Sequence, residues 1–420
     1  MRSLRITRWL LIAGATVISI NSNAQVLSLE QAEQLALEND AVLQAKLAQT
    51  DAFREQAVAA DTLPDPKVKL GLMNFPTDTF ARDQEPMTQI QVGVQQMIPR
   101  GDTLNLKSQL AMKSSEASFA DVQDRKRLVT AQLRSAYLEQ LYWLNAEEVV
   151  KNSYQLFSQL TSITQAQYQS GVQKQQDVIR AELELGLLAD KLDDIQSNQK
   201  ASYAQFSKLI GQQSQVLSIV RAIPQLPAIP FAKEPNAILR EHPRIYAEDA
   251  KVARSQFDIE LARQEYKPEW MIDVTYGFRD GYNANGSERA DFLSAMLVFD
   301  MPLFTGDRQD RKVSASQLQH QSALQTREEV LRELTRQYES QVASWQALQG
   351  RVQRYEKLLV PQAHENAAAA LHAYQNRRGE FTALMRARIT ELETELKYLR
   401  LQIDSLKTQS MLLYLVGENQ

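Results

Sequence analysis

The sequence offers few side chains whose type and spacing could support catalysis or metal binding. It contains no cysteine, which excludes disulfides, thiolate metal sites and thiol nucleophiles. His364 and His372 lie eight residues apart on a predicted helix, near the same face, but no further ligand stands nearby at a spacing that suits a metal site. We therefore expect solvated or packed histidines, with no bound metal and no cofactor.

The methionines and carboxylates also favour structural roles. Met73, Met87 and Met97 carry thioethers, which suit copper(I), but methionine in a strand more often packs against its neighbours. The sequence has no phosphate-binding loop, dinucleotide fingerprint, HExxH or GxSxG motif. Carboxylate pairs such as Asp193 and Asp194 lie in charged helical stretches, where we expect them to be solvated. The sequence therefore predicts a protein that is not an enzyme.

Composition bounds the kind of partner and the kind of fold. The 47 Lys and Arg residues nearly balance the 51 Asp and Glu residues, so the sequence shows no basic surface for a nucleic acid. Only 14 glycines and 13 prolines occur in 420 residues, which indicates long uninterrupted elements. Alanine, leucine, glutamine, glutamate and arginine are abundant, as is typical of long helices.

The first 24 residues have the pattern of a secretory signal. Three arginines precede an apolar run from Trp9 to Ile20, and Ser22 and Ala24 occupy the small-residue positions before a cleavage site. The apolar run is about a dozen residues long, shorter than the ~20 that a membrane-spanning helix needs. We predict that residues 1–24 are a cleaved signal peptide and that the mature chain begins at Gln25.

The rest of the chain contains two copies of one unit. In each copy a continuous helical pattern ends at proline, two strand-like runs follow, and a long helical region closes the unit. The first helical pattern runs from Leu29 to about Asp61, and the second from Asn236 to about Tyr266. Landmarks in the two copies are separated by about 206 residues: Tyr168 and Tyr374, Ala181 and Ala387, Gly211 and Gly417. We predict a first repeat over 25–211 and a second over 236–420, joined by a proline-rich linker over 212–235.

The four strand-like runs alternate between apolar residues and polar or small residues. They lie near 66–74, 88–98, 270–279 and 291–301, and each has about the length of a tilted membrane strand. A soluble sheet with one wet face would show the same alternation. A membrane barrel allows no open edge and needs at least about eight strands, so several chains would have to share it. Two chains would give a filled barrel, and three would give twelve strands and a pore.

The long helical regions are too long for a globular core. The region from Asp102 to about Gln169 would extend ~100 Å as one helix, which suggests the wall of a coiled-coil tunnel. The chain turns near Gly171 and again near Arg377 to Gly379. Because both strand pairs start and end at helices, we expect all helices on one side of the membrane.

The sequence resembles the TolC family of outer-membrane efflux channels. The resemblance rests on the tandem repeat, on the order of helices and hairpins, and on the pattern of Tyr168, Gly171, Asp177 and Ala181. The resemblance covers essentially the whole mature chain. It implies an α+β membrane protein, a homotrimer with a 12-stranded outer-membrane β-barrel and a periplasmic α-helical coiled-coil tunnel. It also implies a passive exit duct in the outer membrane of a Gram-negative bacterium. Its partners would be outer-membrane lipid, a periplasmic adaptor (membrane fusion) protein and an inner-membrane efflux pump.

Four segments resemble the sequences of the branch of that family that serves heavy-metal efflux: 63–66, 74–76, 87–89 and 96–101. This narrower resemblance implies a role in heavy-metal resistance. These segments lie near strands and loops, so they could instead reflect barrel geometry. Two alternatives stay open: a similar channel for drug export or protein secretion, and a periplasmic coiled-coil adaptor without a pore. An adaptor would need a separate glycine-rich β module, whereas this chain has two isolated hairpins.

The two turns are the points farthest from the strands, so we expect tunnel entry and adaptor contact there. The candidate residues of this tip are Gly171, Asp177, Arg180, Arg377, Gly379, Glu380 and Arg386. Arg180 and Arg386 occupy the same position in the two repeats. We expect them to pair with acidic neighbours, such as Asp177, Glu380 or their counterparts on adjacent helices, and to hold the mouth closed. The alternative is that both are ordinary surface arginines.

The second repeat departs from the family pattern. Arg377 stands where the first repeat has Gly171, and Ala383 stands where it has Asp177. A strongly anionic mouth is therefore not expected.

Overall fold

The computed structural model describes residues 26–211, 218–231 and 235–418. The predicted signal peptide and part of the predicted linker lie outside the described residues. The first half contains β1 (Val26–Leu27), α1 (Leu29–Asn39), α2 (Ala41–Ala60), β2 (Lys67–Met73), β3 (Gln89–Ile98), α3 (Thr103–Gln169) and α4 (Gln175–Ile210). The second half contains β4 (Ser218–Ile219), α5 (Pro235–Arg240), α6 (Pro243–Gln264), β5 (Trp270–Phe278), β6 (Phe292–Phe299), α7 (Gln309–Arg354), α8 (Val360–Gln375) and α9 (Phe381–Val416).

The four longer strands form one antiparallel sheet in the order β2-β3-β5-β6. The two hairpins are joined in the middle, where β3 pairs with β5 and Val94 lies opposite Val274. The short strands β1 and β4 pair in parallel at a separate place. Within the described residues, the outer edges of β2 and β6 have no strand partner.

The helices extend from one end of this sheet. α3 has 67 residues, which corresponds to about 100 Å. α2 packs along the part of α3 nearest the sheet, where the hydroxyls of Thr50 and Ser118 lie 2.8 Å apart. α4 returns along the far part, where Ser202 donates a hydrogen bond to Gln140. In the second half, α6 packs against α7, and α9 packs against α7 and α8.

Two helical segments that appear continuous in sequence are each divided in the structure. Asp40 separates α1 from α2, and its carboxylate caps α2 by accepting from the Leu43 amide at 2.6 Å. His242 caps α6, where Pro243 occupies the first turn. Each cap begins a separate helix, and both α2 and α6 pack against α3.

The second long region also differs from a uniform helix. Residues Tyr355–Leu359 form a short π-helix between α7 and α8. Pro361 lies two residues after the π-helix ends, and proline has no amide hydrogen and clashes with the carbonyl four residues earlier in a regular α-helix. The wider turn accommodates this residue, so the chain continues without ending the helix.

The hydrophobic core is a long seam between helices. Leu133, Tyr137 and Leu141 recur every fourth residue on α3 and are almost fully buried. The Tyr137 hydroxyl lies 3.3 Å from the carbonyl oxygens of both Leu27 and Val220. The seam therefore fixes the start of the chain and the segment after β4 against the middle of α3.

A buried cluster of charged side chains holds the first helix and the end of the last helix against the same part of α3. Arg134 on α3 is nearly inaccessible and donates from Nε to Glu33 at 2.6 Å. It also forms an ion pair with Glu418, just after α9. A charge at this depth is stable only when it is paired. Arg134 thus links α1, α3 and the end of α9.

Among the described residues, no helix is both long enough and apolar enough to cross a bilayer.

Candidate functional site

The two hairpin turns at the far end of the helices have the same backbone design. The amide of Gly171 donates to the Tyr168 carbonyl at 2.9 Å, and the amide of Arg377 donates to the Tyr374 carbonyl at 3.0 Å. Gly171 has φ 74° and Arg377 has φ 56°, so both residues adopt the left-handed conformation that ends many helices. The second turn therefore keeps the geometry of the first although an arginine replaces the glycine.

A glycine is required nearby for a different reason. A Cβ atom added at Gly379 would lie 2.9 Å from the Cβ of Ala373. The turn folds back closely onto the end of α8 at this point. Gly379 therefore allows the close approach, while Arg377 accepts the left-handed backbone at a cost of roughly 1–2 kcal/mol.

Tyr374 joins the two turns within one chain. Its hydroxyl donates to Gln167 Oε1 at 2.8 Å and accepts from Gln173 Nε2 at 3.2 Å. Its ring packs against Phe381, with 5.8 Å between centroids. Tyr374 is only 9% exposed, whereas its counterpart Tyr168 is 44% exposed. Repeat symmetry gave no indication of this difference, and neither glutamine was among the predicted site residues.

The charged residues of the tip are arranged less tightly than expected. Asp177 lies in the first turn of α4, where its negative charge interacts favourably with the helix dipole. Glu380 directly precedes α9. Arg180 is half-buried and Arg386 is exposed. Across residues 26–211, 218–231 and 235–418, no ion pair involves either arginine. Inside one chain the expected pairing is therefore not seen among the described residues, and pairing between chains stays a prediction.

The sheet has two chemically different faces. Ile272, Val274 and Tyr276 project from one face of β5 and are exposed in the single chain. Asp273 and Thr275 project from the other face, where Asp273 pairs with Lys69 and accepts from the Thr275 hydroxyl at 2.8 Å. This face is polar and carries both signs of charge.

The polar face is also crowded. A Cβ atom at Gly93 would lie 2.5 Å from the Thr275 hydroxyl, and one at Gly277 would overlap the side chain of Gln89. These two glycines leave room for polar side chains to lie flat over the sheet. The glycines in the alternating runs therefore position the polar side chains of this face.

The loops at the far end of the sheet are tied together by arginines. Arg289 Nη1 lies 3.1 Å from three carbonyl oxygens, those of Asp83, Glu85 and Asp280. Arg279 donates to the Pro86 carbonyl at 2.6 Å. The loop after β2 and the loop after β5 therefore form one connected surface.

One group of side chains among the described residues has a spacing that suits a metal ion. It consists of His364, Glu391 and Glu395, whose ligand atoms lie within 4.8 Å of one another. Sequence spacing around the histidines did not reveal it, because the two glutamates lie on the next helix.

Comparisons with known proteins concern the fold. No family profile and no curated protein matches this sequence. Several solved structures do match over nearly their whole length, and they are outer-membrane channel proteins. This chain has their fold.

Three examples show the extent of the match. The outer-membrane protein VceC of Vibrio cholerae is 17% identical, with 93% of this chain and 96% of that chain covered and a TM-score of 0.74. The outer-membrane channel CmeC of Campylobacter jejuni is 13% identical, with 99% and 94% covered and a TM-score of 0.76. CusC, described in terms of transmembrane channel formation, is 14% identical, with 96% of each chain covered and a TM-score of 0.80.

The expected TolC-like fold is therefore confirmed. These neighbours are channels and not enzymes. CusC, VceC and CmeC have similar scores, so fold likeness does not single out the heavy-metal branch.

Proposed function

We propose that three copies of this chain form an outer-membrane channel, the exit duct of a tripartite efflux system. The observation that carries the proposal is a four-stranded sheet with an apolar exposed face and two unpaired edges. Leu70 on β2 is 77% exposed and Leu293 on β6 is 73% exposed in the single chain. Exposed apolar side chains on unpaired edge strands are unfavourable in water, but they suit a lipid-facing barrel once a neighbouring chain pairs with each edge.

Three chains supply twelve strands, enough for a pore. The apolar face, with Ile272, Val274 and Tyr276, would then contact outer-membrane lipid. The polar face, with the Lys69–Asp273 pair, would line the water-filled interior. The helices leave from one end of the sheet only, so they would all lie in the periplasm of a Gram-negative bacterium.

The long helices would form the tunnel wall, with the two repeats (25–211 and 236–420) contributing one hairpin each and 212–235 linking them. The tip formed by the Gly171 and Arg377 turns would be the tunnel entrance and the contact for a periplasmic adaptor. An inner-membrane pump would supply the energy, and the channel itself would be passive. The alternative of an adaptor without a pore is disfavoured by the pairing of β3 with β5, which builds one continuous sheet.

The cargo is the finer part of the proposal. The segments 63–66 and 96–101 favour heavy-metal cations, and drug export or protein secretion is the alternative. Strains lacking this chain should accumulate the true cargo. Hypersensitivity to metal salts alone would support metal efflux, and hypersensitivity to organic drugs alone would contradict it.

Conductance tests the channel itself. Purified protein in detergent should insert into planar bilayers and give discrete, reproducible conductance steps. An adaptor would give none. Absence of conductance from protein that retains its helical content would contradict the proposal.

A further inference from the structure

We propose that His364, Glu391 and Glu395 form a binding site for one divalent cation of the Zn²⁺ type, which ties α8 to α9. The site does not depend on the channel proposal, because the cation would be a bound ligand and not the transported cargo. It lies back from the Arg377 turn, roughly 16 Å from the end of α8 at ~1.5 Å per residue.

The geometry brings three ligands from two antiparallel helices to one place. His364 is on α8, and Glu391 and Glu395 are one helical turn apart on the same face of α9. The His364 Nε2 atom lies 3.1 Å from Glu395 Oε1, and the Nδ1 atom lies 2.6 Å from Glu391 Oε1. The imidazole is thus held between two carboxylates.

These distances fit a cation after a small adjustment. Zn²⁺ binds imidazole nitrogen and carboxylate oxygen at ~2.0–2.2 Å, so two ligands on one ion are at most about 4.4 Å apart. The three ligand atoms here lie within 4.8 Å of one another. A rotation of one of the two partly buried glutamate side chains would bring them within bonding range.

Surrounding charge favours a cation at this position. The two carboxylates face only one permanent positive charge among their ion pairs, Arg388, which donates to Glu391 Oε2 at 2.8 Å. The two carboxylates lie on either side of one imidazole, and a bound dication would offset the repulsion between them.

The ligand types select the class of metal. One imidazole and two carboxylates suit Zn²⁺ and similar first-row divalent ions, whereas Mg²⁺ and Ca²⁺ prefer oxygen ligands alone. Copper(I) and silver(I) prefer thiolates or thioethers, which this group does not contain. The His364 side chain is half-exposed in the single chain, and water would complete the coordination.

Titration calorimetry on the tag-free, detergent-purified assembly tests the site with Zn²⁺ as the probe. We expect one Zn²⁺ per chain, with weaker binding at pH 5.5 than at pH 7.5 because protons compete for the ligands. His364→Ala and Glu395→Gln should each weaken binding at least about tenfold. His372→Ala is the matched control, since this exposed histidine lies on the same helix without the two carboxylates.

Substitution of Co²⁺ gives a second readout that reports directly on the ligands. Wild-type protein and His372→Ala should show the same visible d–d absorption, and His364→Ala should lose it. Two results would overturn the proposal: no Zn²⁺ binding by wild-type protein at 100 times the protein concentration, or binding that His364→Ala leaves unchanged. Circular dichroism of each variant checks that the helices remain folded.

Discussion

The Tyr374 hydroxyl donates a 2.8 Å hydrogen bond to the Gln167 side chain, and this bond connects the two hairpin tips of one chain. The equivalent tyrosine, Tyr168, is exposed, and within the described part of the chain its hydroxyl makes no hydrogen bond. If three chains form the tunnel, the tips inside each chain are therefore joined more firmly by polar contacts than a comparison of the repeats suggests.

In the proposed channel, removing this hydroxyl should loosen the tunnel entrance. Tyr374→Phe leaves the ring packed against Phe381 but removes the hydrogen bonds to Gln167 and Gln173, at a cost of about 1 kcal/mol each. We expect a larger single-channel conductance in planar bilayers. Tyr168→Phe is the control and should behave as wild type. Equal conductance in both variants would mean that the bond does not restrict the entrance.

Charge reversal at the tip arginines tests whether they hold the mouth closed between chains. Exposed ion pairs are worth about 0–1 kcal/mol, which suits a gate that a partner protein must open. Arg386→Glu should therefore raise single-channel conductance. If conductance is unchanged in both Arg180→Glu and Arg386→Glu, these residues are ordinary helix surface.

The two faces of β3 should respond differently to arginine. Val92 projects from the apolar face, beside Leu70 and Tyr276, and Val92→Arg should cost ~2–4 kcal/mol per chain near the membrane centre. Gln91 projects from the polar face, where its cross-strand neighbours are glycines, so Gln91→Arg should be much milder. The temperature at which the oligomer dissociates, followed by gel electrophoresis, should be compared between the two variants and the wild type. Equal losses would show that the faces are wrongly assigned.

His242 should make stability depend on pH. It is fully buried, and burial followed by the charges of Arg127 and Arg244 lowers its pKa from 6.5 to about 3. The unfolded chain therefore binds a proton that the folded chain does not, between about pH 6.5 and pH 3. The free energy of unfolding should decrease as the pH is lowered through this window, by up to about 1.4 kcal/mol per pH unit.

His242→Asn isolates this contribution, because asparagine can still cap α6 but does not titrate. Its unfolding midpoint in urea should change less between pH 7 and pH 5 than that of wild type. Asp124, whose pKa is raised by burial, has an opposite effect but is present in both proteins. Parallel pH profiles for the two proteins would contradict the assignment.

Sequence patterns predicted the parts of the fold that follow from local rules. Alternation located the strands, and the scarcity of glycine and proline indicated α3 and its turn at Gly171. Two features of the second half were missed because they depend on single local events. Pro361 is accommodated by a π-helix instead of ending the helix, and His242 caps a new helix in a segment that seemed continuous.

Contacts between helices were harder to predict. The two turns lie at Gly171 and Arg377, as the sequence predicted, but the partners of Tyr374 were not identified, since repeat symmetry treats Tyr168 and Tyr374 alike. His364 and Glu391 are 27 residues apart in sequence. Their proximity depends on the axial register of α8 and α9, which hydrophobic periodicity does not specify.

The shared barrel is tested most directly by the mass of the detergent-solubilised protein. Four strands with two unpaired edges cannot close a pore, so the proposal predicts one species with three chains per particle. Native mass spectrometry of protein that conducts in bilayers would measure this number. A stable, folded monomer that conducts would contradict it.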